Sequence, residues 1–227
     1  MTTAADLLAR VPFLAALSSA DRENLAAAGQ RRRFGKGQTI FHKDDPGQSL
    51  FIIEEGAVRI YLPTAQGADL TVAVLGAGDF FGDVALLDGR PRSASAAALE
   101  ATATFTVDRA DFIRLLESRP SAAMAVLAAV TRRLRETDEM AADLAFLDVA
   151  GRLAKKLLEL AQSHGAPLER GVRLTLPLTQ EDLASMVGVT RESANRHLSA
   201  FRRRGLIDSR GRYFVILDQA GLRRYID

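Results

Sequence analysis

The stretch Leu178–Ile207, LTQEDLASMVGVTRESANRHLSAFRRRGLI, carries the start and stop signals of two short helices. Thr179 is a predicted N-cap with Asp182 three residues later, which is close to a capping box. Thr190 is predicted to cap a second helix and Gly205 to end it, because glycine tolerates the left-handed conformation that often follows a helix. Two short helices joined by a tight, glycine-containing turn predict a helix-turn-helix.

The outward face of the second helix is polar and basic. Its N-terminal part, which enters the major groove in a helix-turn-helix, holds Arg191, Glu192, Asn195 and Arg196. Arginine suits the O6 and N7 acceptors of guanine, and glutamate accepts from the cytosine amine, so we expect these four residues to read bases. We expect contacts to DNA phosphates, which add affinity without sequence information, from Lys155, Lys156, Thr179, Thr190, Ser193, His197, Arg202, Arg203 and Arg204.

A predicted wing follows this helix. The segments LIDS (206–209) and YFVIL (213–217) flank the turn RGR (210–212), as two antiparallel strands would. Residues 1–149 hold 16 Lys and Arg against 20 Asp and Glu, a net charge of −4, whereas residues 150–227 hold 14 against 8, a net charge of +6. An ordinary helical hairpin with a solvated basic face is the alternative, but caps, turn, charge and wing together favour a domain that binds double-stranded DNA.

The composition of the chain excludes several kinds of site. With no cysteine among 227 residues, it has no disulfides, no thiolate zinc sites and no cysteine-ligated iron–sulfur clusters. No apolar run approaches the roughly 18 residues of a membrane-spanning helix, so we expect no membrane partner. The beginning, MTTAADLLARVPFLAAL, lacks the pattern of a secretory signal, which predicts a cytoplasmic protein. No Ser/His/Asp or paired-carboxylate arrangement suggests catalysis, so we expect a non-enzyme.

The first half of the chain has the pattern of a β-rich domain. Residues 3–29 are predicted to be helical, with a break at Pro12 and an end at Gly29. Between Arg33 and Asp108, short alternating or apolar runs are punctuated by Gly47, Gly56, Gly67, Gly78 and Gly82. Evenly spaced strands with glycine turns predict an antiparallel roll or barrel.

A long helix is predicted after the strands. It starts near Pro120, since proline tolerates the first helical turn, and nothing breaks it before Asp148. Such a helix carries an a/d seam of nearly three heptads: Leu127, Val130, Leu134, Thr137, Ala141 and Leu144. The seam predicts a homodimer formed through residues 120–147, with packing of the helix on its own domain as the alternative. A further helix, capped by Asp148, is predicted over Val149–His164, after a short stiff hinge at Phe146–Asp148.

These segments predict an α+β fold with an N-terminal, jelly-roll-like antiparallel β-roll (1–119), a long dimerisation helix (120–147) and a C-terminal winged helix-turn-helix domain (148–227). Together with AFLDVAGR (145–152) and the loop FFGDVALLDGRPRSA (80–94), this order of elements resembles the CRP/FNR family, the cyclic-AMP receptor protein family of bacterial transcription regulators. The resemblance covers nearly the whole chain. It implies that the β-roll is a cyclic-nucleotide-binding domain.

The loop Phe80–Ala94 resembles the phosphate-binding cassette of that family, in which backbone N–H groups of a short helix cradle an anion. By this resemblance, Arg92 pairs with the cyclic phosphate as a fork donor and Ser93 gives its hydroxyl to the same phosphate. Asp83 accepts the ribose 2′-OH, and Arg133 orients that acid. The full set of residues implied for effector binding is Gly82, Asp83, Val84, Ala85, Arg92, Ser93, Arg133, Thr137 and Asp138.

The resemblance also implies that the base of the nucleotide meets the long helix. Thr137 matches a threonine that receives the adenine amine, and Asp138 stands where nucleotide-binding members often have a serine from the partner subunit. The chain departs from the family pattern in two places. The commonest cyclic-AMP binders have Glu where this chain has Asp83, which shortens the reach by about 1.5 Å, and Asp138 adds negative charge near the base.

The function implied is that of a homodimeric, sequence-specific DNA-binding regulator with cyclic AMP or a related cyclic nucleotide as its effector and with no metal. Its recognition helices, about 34 Å apart, would read a TGTGA-like palindrome, and RNA polymerase is a further expected partner. Three alternatives are a regulator of the same type that binds DNA without an effector, one that responds to cyclic di-GMP, and a regulatory or enzyme subunit that uses the roll alone. Haem binding through His42, His164 or His197 is another alternative.

Overall fold

The structure is a computed structural model, and it describes residues 8, 9, 11, 14, 17–64, 69–210 and 213–226. Some features expected from the sequence lie outside these described residues. They are most of residues 3–16 of the first predicted helix, including its break at Pro12, the turn at Gly67, and two residues of the wing turn, Gly211 and Arg212.

The chain divides into two compact units. The first comprises Met1–Leu62 and Ala73–Glu136, and the second comprises Pro63–Val72 and Thr137–Asp227. The elements of the described residues are, in chain order, α1 (Ser19–Ala28), β1 (Gln30–Phe34), β2 (Thr39–Phe41), β3 (Ser49–Glu55), β4 (Val58–Pro63), β5 (Asp69–Leu75), β6 (Phe80–Phe81), α2 (Asp83–Asp88), β7 (Ser95–Ala98), β8 (Thr102–Asp108), α3 (Arg109–Ser118), α4 (Pro120–Phe146), α5 (Val149–His164), β9 (Gly165–Pro167), β10 (Val172–Leu174), α6 (Gln180–Met186), α7 (Arg191–Arg203), β11 (Ile207–Arg210), β12 (Tyr213–Ile216) and α8 (Gln219–Arg223).

Strand β3 shows how the core of the first unit is built. Its side chains alternate between two cores, because successive residues of a strand point to opposite faces of the sheet. Leu50 and Ile52 belong to a core that includes residues of α1, β8, α3 and the first half of α4. Phe51 and Ile53 belong to a second core, which includes residues of β4, β6 and β7. A strand buried on both faces reads as a continuous apolar run, as β3 does.

Two antiparallel sheets form the roll, as the glycine-punctuated strands predict. Their strand orders are β1-β8-β3-β6 and β2-β7-β4-β5. Residue Phe51 pairs with Phe81 in the first sheet, and Val58 pairs with Ala98 in the second. The turn between β3 and β4 requires Gly56, because its φ is 89° and a Cβ there would lie 2.5 Å from the carbonyl oxygen of Ala101.

Helix α4 has the predicted start at Pro120 and contains 27 residues, about 40 Å at 1.5 Å per residue. Ala122, Val126 and Ala129 are buried in the core of the first unit. Val130, a residue of the predicted dimer seam, packs in part against that same core because it lies beside them. Large apolar side chains of α4 are nevertheless exposed: Met124 by 64%, Leu127 by 56%, Leu134 by 60%, Leu144 by 41% and Phe146 by 86%.

The second unit contains the predicted winged helix-turn-helix. Asp148 caps α5, since its side chain accepts a hydrogen bond of 2.8 Å from the N–H of Gly151. Strands β11 and β12 are antiparallel and form the predicted wing, in a sheet of order β11-β12-β10-β9. Residues of α5, α6 and α7 supply buried apolar side chains, among them Leu153, Leu157, Leu183, Leu198 and Phe201. In the described part of the chain, no helix is long and apolar enough to span a membrane.

Candidate functional site

The loop between β6 and β7 starts at a glycine that is required by its conformation and by a close contact. Gly82 has a φ of 82°, in the left-handed region, and a Cβ there would lie 2.5 Å from Nη1 of Arg92. Helix α2 follows at once, so that Asp83 is its first residue. The Arg92 side chain therefore approaches the backbone of Gly82 closely.

Arg92 is buried and held by backbone carbonyls. Its side chain donates from Nη1 to the Gly82 oxygen and from Nη2 to the Ser49 oxygen, both at 2.8 Å. The residue is only 5% exposed, and its Nε finds no hydrogen-bond partner among the described residues. Burial lowers the pKa of the Arg92 guanidinium, whereas the carboxylates of Asp45 and Asp83 act in the opposite direction. The group stays cationic, because arginine does not lose its proton in proteins.

Asp83 is buried still more deeply, at 1% exposure. Its Oδ1 accepts a hydrogen bond of 2.8 Å from Nη1 of Arg133, in agreement with the orienting role that the family resemblance implies for that arginine. Arg133 also donates to the carbonyl oxygen of Phe80, and its guanidinium carbon lies 4.7 Å from the centre of the Phe80 ring. Within the described residues, Oδ2 of Asp83 has no partner.

The loop thus contains a buried donor and a buried acceptor that the described residues leave unpaired, Nε of Arg92 and Oδ2 of Asp83. Buried polar atoms are almost always hydrogen-bonded, and leaving one unpaired costs about 1–3 kcal/mol. A ligand that carries both an anion and a hydroxyl would satisfy both atoms, because the anion accepts from the guanidinium and the hydroxyl donates to the carboxylate. A sugar phosphate is a ligand of this kind.

The remaining residues expected at the effector are placed as follows. Ser93 is exposed beside Arg92, Val84 is 42% exposed on α2, and Ala85 is buried. Thr137 and Asp138 are exposed on α4, within the second compact unit. The structure brings Gly82, Asp83, Arg92 and Arg133 into contact, and the effector-binding roles expected of all nine residues stay predictions.

Sequence reasoning missed two residues that hold Arg92. Ser49 contributes only its backbone carbonyl, so no residue type at that position could have signalled the contact. Phe41 places its ring under the guanidinium, with 4.3 Å between Cζ of Arg92 and the ring centre. An aromatic residue in a strand ordinarily indicates a core position, and Phe41 does also pack against the core that contains Phe51.

Helix α7 exposes all four side chains that are expected to read bases, Arg191, Glu192, Asn195 and Arg196. The cap at Thr190 fixes the start of this helix, because its hydroxyl accepts a hydrogen bond of 3.2 Å from the N–H of Ser193. Asn195 accepts from the Ser199 hydroxyl at 3.3 Å, and Nη2 of Arg196 lies 3.5 Å from the Ser193 hydroxyl. The polar end of α7 is therefore open to solvent and capped as the sequence predicts.

The start of α6 carries the complete capping box predicted at Thr179. The Thr179 hydroxyl accepts from the N–H of Asp182 at 3.1 Å, and the Asp182 carboxylate accepts from the N–H of Thr179 at 2.7 Å. Two orphan donors at the helix start are thereby satisfied. The two helices of the motif are both fixed at their N-termini by threonine.

The residues expected at DNA phosphates have different surroundings. Arg203 and Arg204 are exposed, whereas Ser193, His197 and Arg202 are half-buried. The two lysines expected at phosphates, Lys155 and Lys156, have carboxylate partners in the structure. Nζ of Lys155 lies 2.6 Å from a carboxylate oxygen of Asp143, and Lys156 pairs with Glu159 one turn further along α5. Both ammonium groups are already neutralised by carboxylates of the same chain.

The three histidines lie on different elements. His42 follows β2, His164 is the last residue of α5 and His197 lies within α7. Among the described residues, no three His, Asp or Glu side chains are grouped as ligands for a metal ion.

Known protein families match the sequence of both compact units. A model of the cyclic nucleotide-binding domain matches residues 31–119, and a model of the Crp-like helix-turn-helix domain matches residues 151–225. A CRP-like cAMP-activated global transcriptional regulator from Mycobacterium tuberculosis is 37% identical over 191 residues, which cover 84% of this chain and 85% of the relative. The cyclic AMP receptor protein of Thermus thermophilus is 35% identical and covers 78% of this chain and 79% of its own length.

Solved structures of similar fold are also found. A c-di-GMP-responsive global regulator from Xanthomonas campestris has a TM-score of 0.78 at 25% identity, over 88% of this chain and 99% of that structure. A CRP-family transcriptional regulator from Thermus thermophilus has a TM-score of 0.74 at 28% identity, over 86% of this chain and 96% of that structure. The relative from Mycobacterium tuberculosis and the CRP-family structure from Thermus thermophilus are both named as transcriptional regulators and not as enzymes. On these matches, the chain belongs to the CRP/FNR family of DNA-binding transcription regulators and combines a cyclic nucleotide-binding domain with a Crp-like helix-turn-helix domain.

Proposed function

We propose that this protein is a homodimeric transcription regulator whose binding to DNA is controlled by cyclic AMP or a closely related cyclic nucleotide. The observation that carries the proposal is that one loop buries both a donor of Arg92 and an acceptor of Asp83 that the described residues leave unpaired. Two relatives support the same effector by name: the one from Mycobacterium tuberculosis is a cAMP-activated regulator, and the one from Thermus thermophilus is a cyclic AMP receptor protein.

In the proposed complex, Arg92 donates to the cyclic phosphate and Asp83 accepts the ribose 2′-OH through Oδ2. Arg133 occupies only Oδ1, so it can keep its bond while the nucleotide binds. Ser93 adds a hydroxyl to the phosphate, and Gly82, Val84 and Ala85 line the site with their backbone. Thr137 and Asp138 are the proposed contacts of the base.

The proposed DNA site is a palindrome with TGTGA-like half-sites. Arg191, Glu192, Asn195 and Arg196 would read bases, and Thr179, Thr190, Ser193, His197, Arg202 and Arg203 would contact phosphates. The exposure of the four base-reading side chains supports this division. Arg191→Ala should relax specificity at one base pair, whereas Arg203→Ala should weaken binding to every sequence alike. An equal loss on all sequences for both variants would contradict the division of roles.

The proposed dimer uses the exposed apolar side chains of α4. Leu127 and Leu134 stand seven residues apart and are more than half exposed, as expected for a seam that a second copy of the chain covers. Burying a leucine stabilises an interface by about 1.5–3 kcal/mol. The effector then acts by a population shift, favouring a dimer geometry in which the recognition helices lie about 34 Å apart. RNA polymerase is the further partner proposed for the DNA-bound dimer.

Isothermal titration calorimetry with cyclic AMP, cyclic GMP and cyclic di-GMP tests the effector, in parallel with binding of a TGTGA palindrome with and without each nucleotide. Arg92→Ala should abolish cyclic-AMP binding and the effector-dependent part of DNA binding. Arg90→Ala is the matched control, because Arg90 is exposed two residues earlier in the same loop. If Arg92→Ala binds cyclic AMP as the parent does, the assignment of the loop is wrong.

Cyclic di-GMP is the second candidate effector. The similar structure from Xanthomonas campestris is described as c-di-GMP-responsive, and Asp83 and Asp138 depart from the pattern of the commonest cyclic-AMP binders. The calorimetric comparison separates the two ligands. A parent protein that binds the palindrome equally well with and without every nucleotide would instead indicate a regulator without an effector.

A further inference from the structure

The flat face of the Arg92 guanidinium is covered by an aromatic ring that no family resemblance assigned to the site. Cζ of Arg92 lies 4.3 Å from the centre of the Phe41 ring and 5.7 Å from that of Phe51. A guanidinium over an aromatic face is attracted by the negative potential of the ring, and more strongly when water is excluded. Arg92 is only 5% exposed, so little water reaches this contact and the cation–π attraction is at the stronger end of its range.

The Phe41 ring is itself fixed. Its centre lies 5.6 Å from that of Phe51 and 5.8 Å from that of Phe81, and the latter two rings are stacked at 5.0 Å with 12° between their planes. Phe41 is also the last residue of β2 and pairs there with Ala96 of β7, the strand that follows the loop of Arg92. The ring is thus attached to both the core and the backbone near Arg92.

The nitrogen atoms at the edge of the guanidinium are also held, by hydrogen bonds. Nη1 and Nη2 each donate to a backbone carbonyl, of Gly82 and Ser49. Gly82 makes the room for this arrangement, because a Cβ there would lie 2.5 Å from Nη1 of Arg92. The guanidinium therefore has one orientation, and Nε is the nitrogen that the described residues leave without a hydrogen-bond partner.

We infer that Phe41 is a positioning residue for the effector, which holds the Arg92 guanidinium in the orientation that the anion of the ligand requires. The inference rests on the proposed function, since it assigns the anion to a cyclic phosphate. A pre-oriented donor binds more tightly than a mobile one, because less freedom is lost when the ligand binds. Loss of a desolvated cation–π contact corresponds to a loss of about 5- to 30-fold in affinity.

Calorimetry with cyclic AMP compares the parent with Phe41→Leu, Phe41→Trp and Phe51→Leu. Phe41→Leu should lose about 5- to 30-fold in affinity, and Phe41→Trp should keep most of it because a ring remains under the guanidinium. Phe51→Leu removes a ring from the same cluster but one further from Arg92, so it should perturb packing more and affinity less. Equal losses for the two leucine variants, or parent-like affinity of Phe41→Leu, would overturn the inference.

A measurement on the protein without effector tests the position of Phe41 independently of the proposed function. In the ¹⁵N-edited NMR spectrum of the effector-free protein, the Nε–H signal of Arg92 is assigned by its absence in Arg92→Lys. We expect it to be shifted upfield by the ring current of Phe41 and to move to the position of a free arginine in Phe41→Leu. A parent signal already at that position refutes the positioning role, whereas a parent that shows the shift but binds no cyclic nucleotide refutes only the proposed effector.

Discussion

The ion pair between Arg133 and Asp83 gives the sharpest test of how the loop is held. Nη1 of Arg133 lies 2.8 Å from Oδ1 of Asp83, and the side chain of the aspartate is 2% exposed against 25% for the arginine. Arg133→Ala removes the partner of one carboxylate oxygen and leaves the other as it is, without a partner among the described residues. The variant therefore leaves the buried Asp83 carboxylate without its ion-pair partner.

Removing one partner of a buried ion pair costs about 3–5 kcal/mol. Because a quarter of the Arg133 side chain is exposed, water can enter the vacated space and solvate the carboxylate in part, so we expect a loss of about 2–3 kcal/mol. Urea unfolding of the effector-free protein, followed by circular dichroism, measures it. With an m-value of about 2–3 kcal/mol per molar, the midpoint should fall by about 1 M.

Arg132→Ala is the matched control, one residue earlier on α4. Nε of Arg132 lies 3.9 Å from Glu136, and both side chains are about 60% exposed, so its loss should cost at most about 1 kcal/mol. Adding Asp83→Asn to Arg133→Ala should recover part of the stability, because the unpaired charge is then gone. Equal midpoints for Arg133→Ala and Arg132→Ala would refute this account of the loop.

Further outcomes follow from other contacts. Leu134→Glu should convert the dimer to a monomer in analytical ultracentrifugation; an unchanged mass would contradict the α4 seam. Thr179→Ala should destabilise the second unit by about 1 kcal/mol in urea unfolding and Thr179→Ser should not, because serine preserves the cap. Arg119 holds the pKa of Asp21 at about 2, so the pair stabilises the fold fully above about pH 4 and less as the pH falls toward 2. The urea-midpoint difference between parent and Asp21→Asn should accordingly shrink between pH 5 and pH 3; a constant difference would contradict this.

Local signals account for the features that the sequence predicted well. A cap depends on a side chain and a backbone N–H only a few residues away, which is why the capping roles of Thr179, Thr190 and Asp148 follow from the sequence alone. The start of α4 at Pro120 is local in the same sense, since a proline in the first helical turn leaves no N–H unpaired. The two helices and the wing of the DNA-binding unit follow from such signals.

Contacts between distant parts of the chain could not be predicted. Lys155 lies in a basic, helical segment, and only the fold shows that Asp143 neutralises it. The apolar character of Val130 suited the dimer seam as well as the core, and the structure places it in part against the core. The direction of the Arg92 side chain depends on a backbone carbonyl 43 residues earlier in the chain. Neither its carbonyl partners nor the Phe41 ring next to it could therefore be predicted from the sequence.

Arg133 connects the effector loop to α4 in a way that makes a last prediction. It pairs with Oδ1 of Asp83 and leaves Oδ2 for the ligand, so the proposed nucleotide adds a bond to the aspartate without displacing the arginine. The next residue, Leu134, is 60% exposed and belongs to the proposed dimer seam. We propose that a ligand bonded to Oδ2 fixes the orientation of the Asp83 carboxylate and, through Arg133, favours one placement of α4. Arg133→Ala should reduce the gain in DNA affinity that cyclic AMP produces more than it reduces cyclic-AMP binding itself; proportionate losses in the two titrations would show that Arg133 only shapes the binding site.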